Sequence, residues 1–66
     1  TLTVKELETL RLMAEGLSNQ GIGESLNISV KTVESNVTSI FRKLDLVPQD
    51  GNARVRAVLA YLSQPN

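Results

Sequence analysis

Read for apolar and polar positions, the chain repeats one unit three times. A large aliphatic residue is followed by Ser or Thr, and an apolar residue stands five positions after the aliphatic one. Leu2-Thr3 with Leu7, Leu17-Ser18 with Ile22, and Ile28-Ser29 with Val33 all fit. In helical terms the hydroxyl residue is an N-cap, and the flanking apolar pair is a hydrophobic staple across the first turn. Thr3 also has Glu6 at the third helical position, which completes a capping box. The first helix is predicted at 4–15: Leu7, Leu10, Ala14 and Leu17 follow at spacings of three and four. Gly16 offers a left-handed stop that folds Leu17 back on Leu12. The second helix, 19–26, ends at Asn27, another left-handed terminator, with Ile28 able to contact Ile22.

The third helix is predicted at 30–44. Its apolar sector at 100° per residue comprises Val30, Val33, Val37, Ile40, Phe41 and Leu44. Asp45 to Asn52 reads as a loop, with Pro48 and Asp50-Gly51 as turn signals. A fourth helix, 53–62, carries Val55, Val58, Leu59 and Leu62 on one face and stops before Pro65. On its opposite face Ala53, Ala57, Ala60 and Tyr61 form a small-residue stripe, which either reflects helix propensity or lets another helix approach closely. The fold class is therefore all-α, four helices in a single domain.

Only Asn27, Ile28 and Ser29 separate the second and third helices, the turn length of a helix-turn-helix. Gly21 and Gly23 each cost a helix roughly 1 kcal/mol relative to Ala, so a reason is expected. Gly23, next to Ile22, would let the two helices approach steeply; Gly21 has no evident packing role. The polar sector of the third helix presents Lys31, Ser35, Thr38, Ser39 and Arg42, flanked by Thr32, Asn36 and Lys43. Short hydrogen-bonding groups let a helix sit deep in a groove about 12 Å wide, and cations at its margins reach phosphates. For an isolated amphipathic helix the same sector would be an ordinary solvated face. Placed directly after a three-residue turn, it points to DNA.

Composition narrows the chemistry. A 66-residue chain with no Cys and no His has no disulfide framework, no thiolate or imidazole metal site and no cysteine nucleophile, so enzymatic activity is not expected. No cofactor is implied. The longest apolar run, Ala57 to Leu62, falls far short of the roughly 18 to 20 residues of a membrane span, and no signal segment is present. The expectation is a cytoplasmic module, and the abrupt start at Thr1 suggests a piece of a longer protein. Seven basic residues balance seven acidic ones, which argues against nucleic acid until the charges are placed. Residues 1–24 sum to minus two and residues 25–66 to plus two. The basic part holds the proposed groove helix, and the N-terminus of the second helix, at Ser18 and Asn19, adds N–H groups suited to a phosphate.

The run from Leu17 to Leu46, LSNQGIGESLNISVKTVESNVTSIFRKLDL, resembles the LuxR/NarL-type (GerE) DNA-binding domain, in the form that ends bacterial two-component response regulators. The most specific elements are Leu17-Ser18-Asn19, Ile22 with a small residue after it, Ile28-Ser29, Thr32-Val33 and Lys43-Leu44. The likeness extends over nearly the whole chain. It implies double-stranded DNA as partner, a third helix in the major groove, a homodimer through the fourth helix, contact with RNA polymerase, and a preceding receiver domain. Carried over by position, base reading falls on Lys31, Glu34, Ser35 and Thr38. Phosphate contacts fall on Ser18, Asn19, Thr32, Ser39, Arg42 and Lys43, and dimer contacts on Ala53, Ala57 and Tyr61.

Three positions depart from many members of that family, which carry Lys at Glu34, a basic or longer residue at Ser35, and His at Asn36. Glu34 either accepts from a cytosine amino group or pairs with Lys31 one turn earlier. Two other functions fit the pattern less fully: a helix-turn-helix that binds only protein, and the promoter-reading domain of a sigma factor.

Overall fold

The computed structural model describes residues 1–47 and 51–63; the turn signals at Pro48 and Asp50 and the stop at Pro65 lie outside the described residues. Among the described residues four helices follow one another: α1 Val4–Ala14, α2 Asn19–Leu26, α3 Val30–Lys43 and α4 Ala53–Leu62. The three expected caps are formed. Thr3, Ser18 and Ser29 hold extended backbone, and their side-chain oxygens accept from the N–H groups of Glu6, Gly21 and Thr32. Each oxygen satisfies a donor that a helix start leaves without an intrahelical partner.

The ends of these helices share a mechanism. Gly16, Asn27 and Asp45 have φ of 95°, 59° and 61°. Beyond each, the chain turns back to donate into the last turn: Leu17 to the Leu12 carbonyl at 3.2 Å, Ile28 to Gly23 at 2.9 Å and Leu46 to Phe41 at 2.8 Å. This left-handed closure satisfies carbonyls that would otherwise be orphaned. Asp45 is the one that the sequence pattern left as plain loop; a short polar side chain tolerates the left-handed region better than most.

The core joins Leu10, Leu12 and Met13 of α1, Ile22 of α2, Val33, Val37, Ile40 and Phe41 of α3, and Ala53 and Ala57 of α4. Leu10, Ile22, Val33, Ile40 and Ala57 are at most 1% exposed. One expected face is corrected, and one open alternative is decided. On α1, Leu7 is exposed, and the buried face contains Glu6 and Thr9 beside Leu10 and Met13. Polar groups occupy that face because they find partners there. The Thr9 hydroxyl donates to the Lys5 carbonyl at 2.9 Å and stands 3.5 Å from Asn36 Nδ2. On α4 part of the small-residue stripe meets another helix, although Ala60 is exposed and Val58 of the large apolar face packs partly on the core. Ala53 and Ala57 face the core at 2% and 0% exposure, while Val55, Leu59 and Leu62 stand 56% to 64% exposed. Small side chains let α4 lie close to α1, where valines and leucines would hold it away.

The close α2–α3 junction depends on Gly23. A Cβ there would stand 2.8 Å from the Ile28 carbonyl oxygen and 3.5 Å from Val33 Cγ2. With no side chain, the turn that follows α2 can cross over it directly. α3 then emerges with Val33, Val37 and Ile40 on the core, and its opposite side in solvent.

Candidate nucleic-acid interface

Because the core takes the Val33, Val37, Ile40 side of α3, the residues about half a turn away must project outward. Lys31, Glu34, Ser35, Thr38 and Arg42 are all exposed, and together they line one shallow depression along the helix. The four residues expected to read bases are thus brought onto a single surface, with a cation near each end. No ion pair joins Lys31 to Glu34, whereas Arg11 pairs with Glu15 and Lys43 with Glu6, both at 2.8 Å. The Lys31–Glu34 alternative is not realised in this structure.

The expected phosphate-binding residues divide into two groups. Ser18 and Thr32 are exposed at the first turns of α2 and α3. Ser18 caps Gly21, and Thr32 is held by Ser29, whose Oγ accepts its N–H at 3.1 Å and lies 3.0 Å from its hydroxyl. Asn19 is half-buried because Arg54, reaching from α4, donates from one guanidinium nitrogen to Asn19 Oδ1 at 2.9 Å and from the other to the Leu17 carbonyl at 3.0 Å. Arg42 is exposed on the same side as Thr38. Ser39 and Lys43 turn the other way, toward α1. The Ser39 hydroxyl donates to Glu6 Oε2 at 2.5 Å, and Lys43 Nζ donates to Glu6 Oε1 at 2.8 Å.

Glu6 is therefore the charged centre of the α1–α3 contact, 6% exposed. The same Oε1 accepts the Thr3 backbone N–H at 2.8 Å, so the capping box of α1 and the brace to α3 use one carboxylate. The Lys43 ammonium above all, then the Ser39 hydroxyl and the Thr3 N–H, hold the Glu6 carboxyl at about 2, below its ordinary 4.5 and against the burial that would raise it. No buried side-chain nitrogen or oxygen among the described residues lacks a hydrogen-bond partner.

Sequence reasoning missed this brace and the Arg54 tie. A signal for the first existed: Glu6 is in register with Leu10 and Met13 at spacings of four and three, so it shares their buried face. The expected surface role of Ala53 and Ala57 in a dimer is corrected, since the core of the same chain already covers both. Tyr61 is half-buried against that core. What α4 exposes is Val55, Leu59 and Leu62, and Arg54, Val55, Val58 and Leu59 line an apolar shallow surface there. Among the described residues no group of acidic or other ligating side chains could hold a metal ion, and no helix is long and apolar enough to cross a membrane.

The family described as bacterial regulatory proteins, luxR family, matches residues 1–49. The transcriptional regulatory protein LiaR of Bacillus subtilis (strain 168) is 52% identical over 46 residues, which is 70% of this chain and 22% of that protein. The transcriptional regulatory protein DegU of Brevibacillus brevis is 45% identical over 58 residues, 88% of this chain and 22% of its own length. The nitrate/nitrite response regulator protein NarP of Escherichia coli (strain K12) is 40% identical over 63 residues, 96% of this chain and 27% of its own. The chain thus spans 22% to 27% of the length of these curated relatives.

Proposed function

The chain belongs to the luxR family of bacterial regulatory proteins, and from that premise we propose that it is the sequence-specific, duplex-DNA-binding output domain of a cytoplasmic response regulator. The observation that carries this reading is the exposed side of α3, where Lys31, Glu34, Ser35, Thr38 and Arg42 line one surface directly after a three-residue turn. A helix of this width fits the major groove, where each base pair presents a distinct pattern of donors and acceptors. Lys31, Glu34, Ser35 and Thr38 face the base edges. Ser18, Asn19, Thr32 and Arg42 position the domain on phosphates, and the N–H groups of the α2 start add to that contact. Glu34 accepts from a cytosine amino group.

Two copies pair through α4. The contact uses the exposed Val55, Leu59 and Leu62, with Tyr61 at its margin, in place of the buried alanines. Pairing accounts for a domain of zero net charge binding a polyanion: one copy neutralises few phosphates, and two copies on adjacent half-sites double the number. A receiver domain precedes the chain in the full regulator, and RNA polymerase is a further partner. The domain itself is not an enzyme.

A salt series tests the groove assignment. Duplexes selected by the wild-type protein from a random pool are titrated with Arg42→Ala and Lys31→Ala. Removing the Arg42 phosphate contact is expected to weaken binding on every sequence and to reduce the slope of log affinity against log salt by about 0.9. Removing Lys31 is expected to weaken the selected duplex by about 1–3 kcal/mol and to relax preference at one base pair. Unchanged affinity and slope in both variants would place the DNA on another face.

A further inference from the structure

We propose that Glu6 is a positioning residue for the groove helix: by gripping Ser39 and Lys43 from α1, it sets the rotation and depth of α3, and so the domain's preference between DNA sequences. This inference rests on the DNA-binding reading above and identifies what aims its reading face.

The geometry is that of a clamp. Ser39 and Lys43 lie one helical turn apart, and the two oxygens of one buried carboxylate take one each, at 2.5 Å and 2.8 Å. Two attachment points four residues apart, about 6 Å along the axis, fix both sliding along α3 and rotation about it. The apolar side of the helix sets its depth by close packing, but burial of Val33, Val37 and Ile40 has no direction of its own and resists small slips less sharply. Directed hydrogen bonds do not tolerate them. The clamped residues also stand next in the chain to Thr38 and Arg42, which face outward. Any rotation that loosens the clamp therefore swings those two side chains by the same angle. Glu6 is itself held, since its Oε1 accepts the Thr3 N–H and closes the first turn of α1. A second polar link, from Asn36 to Thr9 at 3.5 Å, lies one turn toward the start of α3 on the same flank.

The clamp reassigns two residues. Lys43 neutralises an internal acid, and Ser39 has its proton committed to it, so neither contributes to the phosphate contacts. DNA binding should accordingly respond to Lys43 through specificity and not through the salt slope.

The experiment uses the full chain and two probes, the duplex selected by the wild-type protein and a scrambled duplex of the same composition, each titrated across a salt series. Glu6→Gln is expected to lower the ratio of selected to scrambled affinity by about tenfold, the order of one spoiled base contact, with scrambled-duplex affinity equal to or above wild type. Lys43→Met should lower the ratio similarly with the salt slope unchanged, while Lys43→Arg, which can still pair with Glu6, should retain most of the preference. If Lys43→Met instead reduces the slope by about 0.9 on both duplexes, Lys43 is a phosphate ligand and the clamp is overturned. Equal proportional losses on both duplexes for Glu6→Gln would show a role in stability alone. Should Glu6→Gln fail to fold, the two Lys43 variants decide the matter. A wild-type protein that selects no duplex at all overturns the DNA-binding reading itself, an outcome distinct from a wild-type preference that the variants leave intact.

Discussion

Replacing Gly23 with Ala adds one methyl group where the α2–α3 turn crosses α2. In free helices this exchange is favourable by roughly 1 kcal/mol, because Gly carries the larger backbone entropy. Here the new Cβ would stand 2.8 Å from the Ile28 carbonyl oxygen, against an ordinary contact of 3.4 Å or more. Backbone has to retreat by about 0.6 Å, and the expected cost of such overpacking is about 1–3 kcal/mol. The same retreat stretches the bond from the Ile28 N–H to the Gly23 carbonyl, now 2.9 Å, which is worth about 1 kcal/mol. The net expectation is a loss of roughly 1–3 kcal/mol, lowering Tm by about 4–8 °C for each kcal/mol in a domain of this size. Gly21 provides an internal control, since a Cβ there meets only the Leu17 side chain, at 3.6 Å or more. Gly21→Ala should therefore raise stability by about 0.5–1 kcal/mol. Thermal and urea unfolding followed by far-ultraviolet circular dichroism measures both variants. Opposite signs are required; a Gly23→Ala protein as stable as wild type, or equal shifts at the two positions, would refute the close crossing.

Acid unfolding reports on the clamp. The folded-state value of Glu6 is depressed from 4.5 to about 2, so its stabilising contribution is complete above pH 4.5 and is lost as pH falls toward 2. Glu6→Gln should therefore be less stable than wild type near neutrality and flatter between those two values; parallel acid limbs in urea titrations would exclude the linkage. On α4, Ala57→Leu should cost about 1–3 kcal/mol in urea unfolding because the site is already filled, whereas Leu59→Ser should change the stability of the monomer by no more than about 0.5 kcal/mol. The reverse order would mean that the two faces of α4 are exchanged.

Local chemistry made the four helices, three of their starts and two of their stops legible from the residues alone. Thr3, Ser18 and Ser29 cap donors within three residues of themselves, and Gly16 and Asn27 relieve a conformation that their own positions impose. The exposed face of α3 was legible too, because a strong aliphatic sector on one side leaves the other outward by geometry. Where two faces competed, the pattern left the choice open. α4 carries large apolar residues on one side and alanines on the other, and the residues alone do not say whether the alanines serve helix propensity or a close neighbour. On α1, Glu6 and Thr9 look like surface residues and are buried.

The distinction is one of range. Order and limits of the helices follow from contacts three to five residues apart, which a linear sequence displays. Which side of α4 packs inward depends on how close α1 can come, and whether Glu6 can be buried depends on Ser39 and Lys43, more than thirty positions away, arriving with two donors at the right height. Those are matters of shape and of pairwise satisfaction between elements, and tertiary packing alone decided them. That packing left Val55, Leu59 and Leu62 as the exposed apolar stripe of α4, and it joined Ser39 and Lys43 of α3 to Glu6 of α1.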